Sequence, residues 1–200
     1  MQPIRQLMRS LATLAGPEHC LFTPHDLRAL LPELSDAAFR TLLTRSVQAG
    51  HLTRVCRGLY LYEPALRSDG LLLFHAAARL RADDLNYISL ETALSDAGVI
   101  SQVPINRVSI MSSGRSNVIS CGRWGTIEFV HTARSPAEIA AQLSYDAGCG
   151  LWRASVDLAL RDMRATRRNT DLIDWSVAHE RSRPAARRER SPSLGEDVAQ

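Results

Sequence analysis

Apolar residues follow a helical spacing almost from the start of the chain. Ile4, Leu7, Met8, Leu11 and Leu14 form the i, i+3, i+4, i+7 stripe of a helix with one buried face. Pro3 near its start and Gly16-Pro17 after it predict a helix over about 3–15. In "FTPHDLRALLP" Thr23 is placed as N-cap, Pro24 as the first helical residue and Asp26 three residues past the cap. That is a variant of the capping box, and Pro32 stops the helix. Ser35 then caps a third helix, "DAAFRTLLTRSVQAG", with Gly50 as its C-terminal stop.

The third helix has two unlike faces. Phe39, Leu42, Leu43 and Val47 cluster on one. Ala37, Thr41, Thr44 and Gln48 fall on the other, flanked by Arg40 and Arg45, with no acid after Asp36. Directly behind it "HLTRV", a turn at Cys56-Arg57-Gly58 and "LYLY" predict a β-hairpin. Taken alone, this is an ordinary hairpin with solvated arginines. Helix, turn, helix and hairpin in that order favour a winged helix-turn-helix that reads duplex DNA. Arg40, Thr41, Thr44, Arg45 and Gln48 would face the groove, with Arg54 and Arg57 on the phosphate backbone or minor groove.

After "YEPALRSDG", which reads as a linker, the pattern changes. "LLLFHAAARL" predicts a buried helix, with His75 a core or rim residue. "YISLETALSDAG" predicts a strand entering a helix that Ser89 caps and Gly98 closes. Alternating runs at 105–111, 117–121 and 126–132 predict three strands. "SPAE" (135–138) is a capping box whose helix is expected to run to Tyr145. A longer helix is expected over 151–166 and a short one at "DLIDWSVAHE". The expected fold class is therefore α+β: a winged helix over 1–64, a mixed α/β module over 65–180, and a tail over 181–200 whose composition predicts disorder.

Charge and composition narrow the chemistry. All 24 basic residues are arginine, which removes every mechanism that needs a lysine. Residues 1–62 carry 7 Arg against 4 acids, and 63–180 carry 12 against 14, so the excess positive charge lies on the proposed reading head. Cys20, Cys56, Cys121 and Cys149 are dispersed and read as reduced thiols of a cytoplasmic protein, with no metal site. No apolar run approaches the roughly 20 residues of a membrane helix, and the N-terminus does not read as a signal peptide. Glu91, Asp96 and Glu128 are the acids open to consideration as a catalytic pair, and they read better as surface acids and caps. Ser109, Ser112 and His131 lack any nucleophile motif. No catalytic residue, cofactor or metal is expected. Arg153, Arg161, Arg164 and Arg168 are expected on one face of the 151–166 helix, either as a solvated face paired with Asp157 or as a second contact surface.

The order "AGHLTRVCRGLYLYEP", "YISLETALSDAGVI", "GTIEFVHTA" resembles the AbiEi antitoxins of bacterial type IV toxin–antitoxin systems, over roughly residues 20–135. The resemblance implies an N-terminal winged helix that represses its own operon through inverted repeats in the promoter, with a dimer on DNA. It implies a C-terminal domain that counters a nucleotidyltransferase toxin without a stable complex, and DNA contacts from the seven residues named above. Antitoxicity is placed within 70–180, with the four arginines as its surface. A winged-helix regulator whose second domain binds a small molecule is the alternative. Residues 1–66 are expected to suffice for DNA binding.

Overall fold

The computed structural model describes residues 2–101 and 106–182. The expected tail falls almost wholly outside these, as does Ile105 at the start of the 105–111 run. The chain is α+β, as its patterning predicts. Helix α1 (Pro3–Leu14) buries Leu7 and Leu11 completely. Strand β1 (Leu21–Phe22) follows, then α2 (Pro24–Ala29), whose capping box forms: Asp26 N–H donates to Thr23 Oγ1 at 3.2 Å and Thr23 N–H to Asp26 Oδ2 at 2.7 Å. Helix α3 (Asp36–Gln48) starts at Ser35, whose hydroxyl accepts from Ala38 N–H, and ends before Gly50 at φ 74°. Strands β2 (Thr53–Cys56) and β3 (Leu59–Leu61) make the hairpin, and β1 adds to it in the order β1-β3-β2.

That small sheet is buried on both faces, and the period-2 alternation of strand side chains explains how. Phe22 and Tyr60 face the helices, in a cluster with Leu7, Leu11, Leu27, Phe39 and Leu43. Leu21, Val55, Leu59 and Leu61 face the other way and join the core of the second module. The junction is therefore continuous hydrophobic interior. Its edges are tied by an Asp26–Arg79 ion pair and by Arg123–Glu63 at 2.6 Å, with Thr53 Oγ1 donating to the same Glu63 carboxylate at 2.8 Å. The segment expected to be a linker contains a 3-10 turn, Glu63–Ala65.

The second module is built on a six-stranded sheet. Helix α4 (Leu72–Leu80) leads to β4 (Asn86–Ile88), α5 (Leu90–Asp96), β5 (Arg107–Ser112), β6 (Asn117–Ser120) and β7 (Thr126–His131). Helix α6 (Pro136–Ile139), β8 (Leu143–Asp146), β9 (Leu151–Ala154), α7 (Val156–Ala165) and α8 (Trp175–Ser182) complete it. The sheet order is β6-β7-β5-β4-β9-β8, with β5/β7 and β4/β9 parallel and the other pairs antiparallel. Neighbouring residues on β4 point to opposite faces. Asn86 donates to the carbonyl of Arg81 at the end of α4, and the Tyr87 hydroxyl donates to Asp162 on α7 at 3.1 Å. Helices thus cover both faces.

Two expected helices are corrected here. The "SPAE" helix stops at Ile139, and after a 3-10 turn the chain becomes β8 rather than continuing to Tyr145. The 151–166 segment is a strand followed by a helix. Leu151 and Ala154 are buried while Trp152 is exposed, and Ser155 is the true N-cap, accepting from Leu158 N–H at 3.2 Å. The stripe of apolar residues runs through both elements, but a capping serine inside it marks the break.

A candidate nucleic-acid interface

α2 and α3 are joined by a tight turn that one side chain organises. Arg28, in the last turn of α2, donates to the carbonyls of Leu31 and Leu34, lies 3.6 Å from the Asp36 carboxylate and stacks over the Phe39 ring at 5.6 Å. It satisfies the carbonyls that Pro32 and the turn leave without helical partners. It also fixes the start of α3 against the end of α2. Nothing in the hydrophobic pattern singles Arg28 out; its place in the last turn before a helix-stopping proline is the signal that could have.

With Phe39, Leu43 and Ser46 buried, α3 presents Ala37, Arg40, Thr41, Thr44, Arg45 and Gln48 to solvent, all exposed. The two threonine hydroxyls donate to carbonyls one turn back, Thr41 to Ala37 at 2.9 Å and Thr44 to Arg40 at 3.0 Å. Their oxygens keep acceptor capacity and their methyls face outward, the functions that meet base N–H groups and thymine methyls in a major groove. Arg54 and Arg57 are likewise exposed on the hairpin. A register shift between Arg54 and Cys56 and Gly58 at φ 81° turn the strand tightly enough to place both arginines near its tip.

The electrostatics separate this face from the rest of the molecule. Arg107, Arg123, Arg134, Arg153 and Arg168 each reach a carboxylate. Among the described residues no acid lies within ion-pairing distance of Arg40, Arg45, Arg54 or Arg57. Four guanidinium groups are thus left for an outside anion, on one helix and the hairpin that follows it.

The four arginines expected to share a helix face do not. Arg153 lies on β9 and pairs with Asp96 and Asp146, the latter at 2.8 Å. Arg168 lies past the end of α7, bridging Glu91 at 3.1 Å and Glu128 at 2.6 Å. Only Arg161 and Arg164 belong to α7, and neither expected Asp157 pair forms. Glu91, Asp96 and Glu128 are consequently committed to arginines. The Arg168 and Arg107 guanidinium groups overcome the opposing effect of burial and hold the Glu128 carboxyl below its usual range.

Two further expectations concern serines. Ser89 occupies the N-cap position of α5 but gives α5 no side-chain cap; its hydroxyl donates to the fully buried Asp162 at 2.7 Å. Arg134 and Tyr87 complete that carboxylate's shell, and burial and then the nearby Asp162 charge push the Tyr87 hydroxyl up to about 12. His131 bonds the Gly114 carbonyl at 3.0 Å rather than Ser109 or Ser112. No group of three or more His, Cys, Asp or Glu residues able to hold a metal ion occurs among the described residues. All four cysteines are free and buried. No helix among the described residues is long and apolar enough to cross a membrane.

No family model matches the chain, and no curated protein matches it. Among solved structures the fold is similar to the crystal structure of the RV2827C protein from Mycobacterium tuberculosis. The TM-score is 0.56 at 16% identity, over 86% of this chain and 64% of that one. The chain thus spans somewhat under two thirds of that protein's length, and the likeness is one of fold.

Proposed function

We propose that this protein is a winged-helix repressor of its own operon, and that it acts as the antitoxin of a type IV toxin–antitoxin pair. The observation that carries the DNA reading is the run of exposed arginines on α3 and the β2–β3 hairpin with no internal carboxylate partner. In this reading α3 enters the major groove with Thr41, Thr44 and Gln48 toward base edges. Arg40, Arg45, Arg54 and Arg57 take phosphates or the adjoining minor groove. The antitoxin part, including the nucleotidyltransferase toxin as functional partner, rests on the resemblance of the "RGLYLYEP" and "YISLETAL" blocks to AbiEi proteins.

The test is a mobility-shift titration of the full chain on the DNA upstream of its own reading frame, repeated across salt concentrations. Each phosphate neutralised contributes about −0.9 to the slope of log K against log salt, so Arg54→Ala with Arg57→Ala should flatten it by roughly 2. Thr44→Ala or Gln48→Ala should leave the slope and erode the preference for the promoter by about 1–3 kcal/mol at a well-made base contact. Equal affinity for promoter and unrelated duplex in the wild-type chain would sink the repressor reading. Co-expression with the adjacent toxin reads the second part: rescue of growth without a co-purifying stoichiometric complex is expected.

A further inference from the structure

Between α7 and α8 lies a groove of about 470 Å³ whose chemistry the fold leaves unused. Arg161 and Arg164 on α7 and Trp175 and His179 on α8 line it, together with Gln142 and Asp157. Trp175 is 40% exposed, and the Arg164 guanidinium lies 5.8 Å from its ring centroid. Arg161 donates to the Gln142 side-chain carbonyl. Among the described residues neither arginine reaches a carboxylate. Asp157, one turn before Arg161, offsets one positive charge. Ser182 also lines the groove, and the sequence after it adds Arg183, Arg187, Arg188 and Arg190 against Glu189.

We propose that this groove binds single-stranded RNA, with a base stacked on Trp175 beside Arg164 and phosphates running over Arg161 toward the arginine-rich sequence beyond Ser182. Three features argue for this ligand. Unneutralised guanidinium groups along a groove that continues into a basic segment call for an extended polyanion rather than a single anion. An indole with an accessible face offers stacking that duplex bases, already stacked on each other, cannot take up. Gln142, Asp157 and His179 place hydrogen-bonding groups beside the cations, where a 2′-hydroxyl has partners and a deoxyribose has none. The site shares no residue with the α3–hairpin face, so it stands or falls independently of promoter binding.

Fluorescence anisotropy of the full chain with a labelled, short, mixed-sequence RNA tests it, with DNA of the same sequence run beside it. Trp175→Ala should weaken RNA binding roughly five- to hundredfold, the range expected for one stacked base. Trp175→Phe should retain most of the affinity while losing much of the tryptophan quenching that RNA causes in the wild type. Arg161→Ala with Arg164→Ala should lower the salt slope by roughly 1.4, at about 0.7 per single-strand phosphate. Promoter binding by all these variants should match the wild type. Wild-type RNA affinity in Trp175→Ala would overturn the proposal, as would equal binding of the DNA strand. So would loss of RNA binding in Arg54→Ala, or a chain ending at Ser182 that loses all RNA binding while Trp175→Ala keeps it.

Discussion

Tyr87 shows what a single buried hydroxyl contributes. Its ring is fully buried on β4 and its hydroxyl donates to Asp162, itself fully buried. Ionising Tyr87 there would place two negative charges side by side without water, so burial and Asp162 keep it protonated to about pH 12. A group whose folded value lies above its unfolded value near 10 stabilises the fold fully below about pH 10. That stabilisation is lost as pH rises through the folded value. The contribution is about 2–3 kcal/mol at 1.36 kcal/mol per unit. Denaturant midpoints should therefore fall between about pH 10 and 12, and Tyr87→Phe should remove part of that fall while lowering the plateau below pH 10. An unchanged pH profile in Tyr87→Phe would mean other groups govern alkaline unfolding. The sequence offered no hint of this network, because Ser89 preceding an apolar helix reads equally well as a cap. Its actual partner lies 73 residues further along.

At the scale of elements, Arg28 is to the helix-turn-helix what the capping box is to α2. Its guanidinium fork satisfies two turn carbonyls at once, and an ammonium cannot span both in the same geometry. Arg28→Ala should cost about 1.5–3 kcal/mol, the range for hydrogen bonds to charged groups, and should weaken promoter binding by loosening α3 as well. Arg28→Lys should recover only part of either, as read by thermal melts alongside mobility shifts. The N-terminal helices and the hairpin were legible because caps, prolines and a 3.6 period agreed with one another at each boundary. β8 and β9 were not. Each is four residues long, too short for alternation to show, and each adjoins helical sequence with its own apolar stripe. Two of the four arginines placed on a single face from that reading belong to other elements as a result. The α3 face was legible because its long amphipathic helix leaves little choice about which side packs.

For the molecule as a whole, the informative residues are Leu21, Val55, Leu59 and Leu61. An apolar residue on each face of a short hairpin is the mark of a sheet covered on both sides, and the second module is the cover. The expectation that residues 1–66 suffice for DNA binding is revised accordingly. A 1–66 fragment would expose those four side chains with Cys20 and Cys56, a contiguous apolar patch of the kind that drives association. The fragment should melt well below the full chain or aggregate, and the full chain should unfold in one cooperative transition by both fluorescence and circular dichroism. A monomeric fragment with the full chain's melting temperature would show the two modules to be independent.

Because the back of the hairpin is the interior of its neighbour, the reading head has no swivel. A tethered head could stretch or pivot to reach binding sites set at different separations, whereas a head fused to a six-stranded sheet carries its bearing with it. If two copies sit on an inverted repeat, the distance between their α3 helices is dictated by how the larger modules meet, a region that never touches the DNA. Tolerance for inserted base pairs between half-sites thereby becomes a property of the part of the chain farthest from the bases, and a change in that part would be felt as a change of address.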